Sequence, residues 1–247
     1  MPGANWEAAI IRAVLFTQQA TPLTYDLFTP FAGEPPDQQE ERPKEGIRRQ
    51  SGTLDGAELR TSLSPVMAEL VLVPPPQSAE QLFGEFSHTT GELKAQLAKF
   101  EHRLQLWLSK WEVPTIRVSL LVQALASAPS KTVAYEILRD NLTSVNVKPG
   151  EMSDLIFRIN WKAKTAATAE GYFNRVMTWS AVQFRASAMS ASGAGEIQLN
   201  TRNYAQVDMD LNSPGEHREA LPRDHLGTIY SGLFQLAVEI ADRGEQS

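Results

Sequence analysis

Between Gly91 and Trp111 the large apolar residues fall at Leu93, Leu97, Phe100, Leu104, Trp107 and Trp111, in steps of four, three, four, three and four. Lys94, Lys99, Glu101 and Arg103 fill the intervals. That period gathers the large side chains on one stripe of an α-helix roughly 30 Å long at 1.5 Å per residue. A helix with a single apolar stripe must bury it against another element, so the segment dictates a layered fold. The same spacing suits a coiled coil, but about three heptads is the bare minimum for one. The reading adopted is a helix lying across the protein's own sheet. Leu226, Ile229, Leu233, Leu236 and Ile240 repeat the pattern, closed by Asp242, Arg243 and Gly244.

The partner layer reads as strands rich in β-branched and apolar residues. Residues 6–17 (WEAAIIRAVLFT) suit a largely buried first strand, and 57–73 suit two strands broken at Ser64-Pro65. The prolines at 74–76 end the second of these, because none of them can donate to a ladder. Val113-Pro114 stops the first long helix, and strands are predicted at 115–126, about 155–162, 171–186 and 204–211. Ser78, Ser130 and Asp224 are candidate helix N-caps. The expected fold is α+β: a mostly antiparallel sheet with two long amphipathic helices packed on it. Each long helix follows strands and a proline-bearing turn, which suggests two similar halves.

A chain of 247 residues suits one domain, 1–247. Residues 29–56 stand apart from the rest. They hold four prolines and four glycines among Glu, Arg, Lys and Gln, with Ile47 and Leu54 the only large aliphatics. Such a stretch buries too little apolar surface to offset its ordering, so a mobile loop is expected there.

The chain has no cysteine, which removes thiol catalysis, disulfides and thiolate metal sites together. The net charge of −6 argues against a life on nucleic acid, though a local basic patch could survive it. No apolar stretch reaches the length of a membrane span, and the run from Ala8 to Phe16, interrupted by Arg12 and preceded by Glu7, reads as a strand rather than a leader. A cytoplasmic protein that does not engage a membrane is expected.

Two segments carry candidate chemistry. In 154–179 the alternation sets Phe157, Ile159 and Trp161 on one side of a strand and Arg158, Asn160 and Lys162 on the other. The first three are expected to be buried against a helix, and the second three to face solvent, a groove or a partner. Arg158, Asn160, Lys162, Asn174 and Arg175 are the candidate ligand- or partner-binding residues, because guanidinium forks and amides recognise carboxylate, phosphate and exposed backbone. With Lys164 and Arg185 against phosphates and Trp161, Tyr172 or Trp179 for stacking, strands 155–185 also allow a nucleic-acid reading.

The second segment is 208–225, where Asp208, Asp210 and Asn212 share one side of a strand and His217, Asp224 and His225 follow. Asp208 and Asp210 are the metal candidates. The calcium-loop pattern fails, however, because Ser213 stands at the glycine position and a strand rather than a helix precedes it. There is no phosphate loop, dinucleotide fingerprint or nucleophile elbow, and SGAGE at 192–196 has the composition of a flexible loop. His88 and His102 lie on or beside the first long helix and have no partner spacing.

The pieces IIRAVLF, VPTIRVSLLV and VDMDLNSP followed by LGTIYSGLFQLAVEIAD give the chain a layout. It resembles that of a bacterial family of α+β proteins of about this length with no assigned activity. The resemblance implies an α+β domain of two similar halves and brings no catalytic residues. The expectation is a non-catalytic binding or assembly protein, a subunit of a bacterial cytoplasmic complex, with a protein partner or self-association and no cofactor. A nucleic-acid accessory protein using strands 155–185 is the first alternative, and a metal-dependent enzyme at 208–225 the second.

Overall fold

The computed structural model describes residues 4–76, 88–189, 196–215 and 219–246. Nine strands form one sheet: β1 (Trp6–Thr17), β2 (Gln38–Arg42), β3 (Ile47–Leu54), β4 (Ala57–Ser64), β5 (Met67–Val73), β6 (Thr115–Ala128), β7 (Ile156–Lys164), β8 (Tyr172–Met189) and β9 (Glu196–Asn212). Their spatial order is β2-β3-β4-β5-β1-β6-β9-β8-β7, with antiparallel pairing throughout. The described helices are α1 (Phe28–Ala32), α2 (Leu93–Leu108), α3 (Lys131–Asn141) and α4 (Leu226–Arg243). The fold is therefore mixed α+β and mostly sheet.

Among the described elements the order on the two sides of the β1–β6 pair is alike, with a meander of four strands in one set and three in the other. β1 is followed by α1 and the meander β2–β5, whose last strand returns to pair with β1, and then by α2. β6 is followed by α3 and the meander β7–β9, whose last strand returns to pair with β6, and then by α4. The β1–β6 pair joins the two sets at the middle of the sheet.

Alternation decides which side of the sheet is dry. Ile11, Ala13 and Leu15 of β1, Val118, Leu120 and Val122 of β6, and Val207, Met209 and Leu211 of β9 are all buried in one cluster. The same cluster takes Leu93, Leu97, Phe100, Leu104 and Trp107 of α2 and Ile229, Tyr230, Leu233, Phe234 and Ile240 of α4. Phe28 and Phe31 of α1 and Tyr135 and Leu138 of α3 join it as well. All four described helices thus cover one face. Two polar groups inside this layer are paired: the Tyr230 hydroxyl donates to the Val14 carbonyl (2.8 Å) and Trp107 Nε1 to that of Leu27 (3.1 Å). Ser130 caps α3 by accepting from the Val133 amide (3.2 Å).

Three expectations need correction. Residues 29–56 are not one irregular loop, for they contain most of α1, all of β2 and β3, and the start of the β3–β4 hairpin. The two-residue turn at Asp55-Gly56 has positive φ at both positions (51° and 81°), which suits the right-handed twist of a hairpin and is within easy reach of glycine. The segment is poor in apolar residues because β2 is an edge strand with all five residues exposed. Asp224 does not cap α4. It lies within a single 3-10 turn, Arg223–His225, and the N-cap position belongs to His225, which makes no side-chain cap bond. Trp161 is not buried, for a reason given below. Ser78, His217 and nearly all of the SGAGE segment lie outside the described residues.

Candidate binding surface

The second face of the sheet carries none of the described helices, and its side chains can be read across all nine strands from the register. One row runs Asn160, Val176, Asp210, Leu121, Arg12, Val71, Arg60, Ser51, Gln38. At the usual strand spacing it spans roughly 40 Å. A neighbouring row runs Lys162, Asn174, Asn212, Ser119, Val14, Glu69, Ser62, Arg49, Glu40. The apolar residues of these rows, Val176, Leu121, Val71 and Val14, lie on β8, β6, β5 and β1, interleaved with Asp210, Arg12 and Glu69, while both edges are polar or charged.

This face is hollowed twice. A cavity of about 660 Å³ lies over β2–β5 and β1, floored by Ile10, Val71 and Val73. A second, of about 350 Å³, lies over β1, β6, β9, β8 and β7, and is lined by Leu121, Val176, Arg158, Asp208 and Asp210. Ile10 and Arg12 line both. Charges in the first hollow neutralise one another: Arg12 pairs with Glu69, Arg60 with Glu58 (2.7 Å), and Arg49 lies 3.7 Å from Glu40.

In the second hollow the carboxylates are held by neutral donors. Asp208 accepts from the amides of Gln123 (2.9 Å) and Gln206 (2.7 Å), and Asp210 from the Ser119 hydroxyl and the Asn212 amide (both 3.0 Å). The Asn212 carbonyl oxygen in turn accepts from Arg117 (3.0 Å) and Asn174 (3.1 Å). The row contacts thus form a continuous polar network from β6 to β8.

The structure brings Arg158, Asn160, Lys162 and Asn174 together on this open face, with Arg158 opposite Thr178 and Lys162 opposite Asn174. Arg175 is separated from them. It points to the helix side, is buried, and donates to the Glu245 carbonyl (3.4 Å). Burial lowers its pKa, and the Glu239 charge opposes that shift. Its guanidinium also lies 5.1 Å from the ring centre of Trp161, its cross-strand neighbour. Trp161 remains 39 % exposed because β7 is the last strand, so no further strand covers its outer flank. Phe157 and Ile159, on the same side, are half-buried against the core.

Asp208 and Asp210 share the open face, whereas Asp224 and His225 lie at the start of α4 in the helix layer. The proposed cluster over 208–225 is therefore not assembled from these residues. Among the described residues no group of three or more His, Asp or Glu gathers at a spacing that would hold a metal. Also among them, no helix is long and apolar enough to cross a membrane. His88 sits on the upper open face, stacked on Phe184 at 4.0 Å, and burial, with the Arg202 charge adding to it, lowers its pKa.

Sequence reasoning missed Ile10, Arg12, Glu69 and Gln123 as lining residues. A signal existed for Arg12, a lone charge in the run AAIIRAVLF at a position whose alternation partners are Ile10 and Val14. No protein-family model matches the chain, and no curated protein matches it.

Proposed function

We propose that this protein is a non-catalytic binding or assembly protein, working in a bacterial cytoplasmic complex, whose partner lies on the sheet face opposite the described helices. The observation that supports this is the placing of all four described helices on one face, with two hollows on the other. Wet faces of antiparallel sheets are ordinarily polar, whereas this one carries Ile10, Val71, Leu121 and Val176 around its centre, interleaved with Arg12 and Asp210. Hollows that combine apolar groups with a few placed polar ones suit a partner site. The repeated strand–meander–helix plan supports reading the chain as two related halves, each contributing one hollow, with the long helices as amphipathic covers of the opposite face.

The nucleic-acid alternative draws on β7. It is opposed by Asp208 and Asp210 in the second hollow and by the paired arginines of the first, which leave no continuous basic track. The test is affinity capture from the native host with the wild type and with Leu121→Glu combined with Val176→Glu, after confirming an unchanged melting profile. A partner, or a second copy detected by light scattering, is expected with the wild type and absent with the variant. An identical captured set from both proteins rejects the reading. Binding to single-stranded DNA with a steep salt dependence would favour the alternative.

A further inference from the structure

We propose that the free edge of β7 accepts an extended, acid-bearing segment of a partner polypeptide as a tenth strand, an inference that rests on the partner-binding reading above. β7 is nine residues long and contains no glycine, proline or bulge, and it ends the sheet. One side of its backbone is thus available as a template for strand addition. Of the four exposed large hydrophobic residues among those described, two stand on this strand: Ile156, 73 % exposed, and Trp161.

The charge pattern chooses the occupant. Arg158, Lys162 and Lys164 project on the open face, and no acidic residue lies between Ile156 and Lys164. None of the three takes part in an ion pair among the described residues, although Lys162 lies over the Tyr172 ring at 3.9 Å. Phe157, Ile159 and Trp161 offer apolar contact on the other side. An incoming strand is therefore matched if acids alternate with apolar residues, each set meeting its complement across the new ladder. A second copy of this chain is a poor match. Two β7 strands paired antiparallel about Asn160 would set Arg158 of each directly against Lys162 of the other, and like charges opposite one another are unfavourable.

The test uses the full chain and synthetic peptides as long as β7, capped at both ends, alternating glutamate with valine. Fluorescence anisotropy is expected to show binding of this peptide and about tenfold or weaker binding of its lysine-for-glutamate counterpart. N-methylation of alternate peptide amides should cost about tenfold or more on one set of positions and little on the other, because only one set faces β7. Arg158→Glu with Lys162→Glu should reverse the preference between the two peptides. Binding that is indifferent to N-methylation would mean charge attraction alone and would overturn the proposal, as would tighter binding of an oligonucleotide than of the acidic peptide. If no peptide binds but Leu121→Glu with Val176→Glu still abolishes partner capture, strand addition fails while the open-face reading stands. If neither set of substitutions affects capture, both fail.

Discussion

Glu245 should be among the most sensitive single positions in the protein, although it lies in a short 3-10 segment after α4. It is fully buried, and one carboxylate oxygen accepts the amide and hydroxyl of Thr143 (2.7 and 2.5 Å) and both those of Ser144. Gly244, at φ 66°, makes this approach possible, since a Cβ there would run into the Asn141 carbonyl. A hydrogen bond to a charged group contributes about 1.5–3 kcal/mol, but four donors sharing one oxygen do not add. Glu245→Ala is therefore expected to cost about 3–4 kcal/mol, and Glu245→Gln about half of that, measured by urea unfolding with an unchanged slope.

The same contacts predict a pH signature. Burial pushes the Glu245 carboxyl up, but the donors on Ser144 and Thr143 outweigh it and hold its pKa below the ordinary value. A depressed folded pKa adds stability that is fully present above the unfolded value, near 4.3, and is lost as pH falls through the folded one. Wild-type stability should thus fall over that acid range more steeply than that of Glu245→Gln. A loss under about 1 kcal/mol for Glu245→Ala, or parallel pH curves for wild type and Glu245→Gln, would refute this account.

Trp161→Ala and Trp179→Ala separate the two flanks of the β7–β8 pair. The first removes a half-open ring with one guanidinium contact and should cost about 1 kcal/mol or less. The second removes a fully buried ring set edge-on to Trp6 at 5.9 Å and should cost about 3–5 kcal/mol, both read from the same denaturation series. For the acidic pair on β9, protein purified without chelator should carry no stoichiometric divalent metal. Millimolar calcium or magnesium should leave the melting temperature unchanged, whereas a ligand at 100 times its Kd would add about 2.7 kcal/mol. A metal-dependent rise that disappears in Asp208→Ala with Asp210→Ala would restore the enzyme alternative.

What was legible in the sequence was whatever a single period carries. The spacing of Leu93, Leu97, Phe100, Leu104 and Trp107 picks out residues that are buried on α2, and the β-branched, apolar run 6–17 marks the bounds of β1. Ser64-Pro65 separates β4 from β5 as read. Residues 29–56 were misread because composition was weighed against burial, and an edge hairpin needs little burial of its own. Its neighbours β4 and β5 supply the core, while β2 contributes main-chain bonds, paired charges such as Arg42 with Glu40 (2.7 Å), and the Gln39 side-chain carbonyl, which accepts from Arg48 (3.0 Å). The Asp55-Gly56 signal was the available clue, being local and independent of hydrophobicity.

The error at Trp161 has a different cause, and it bears on function. Alternation assigns a side chain to a face of the sheet, and it did so correctly, since Trp161 lies beside Arg175 on the helix side. It does not say whether another strand or helix reaches that far. Strand order decides that, and strand order depends on pairings between residues far apart in the sequence, such as Arg158–Thr178–Asp208–Gln123 across four strands. The same holds for Arg175. It follows Asn174 in the chain yet faces the opposite layer, so a list of adjacent polar residues mixed one buried structural cation with the open-face set. The face shared by Arg158, Asn160, Lys162 and Asn174 is local information. The hollow they adjoin is not, because Ile10 and Arg12 reach it from the other end of the chain, through β1 at the centre of the sheet.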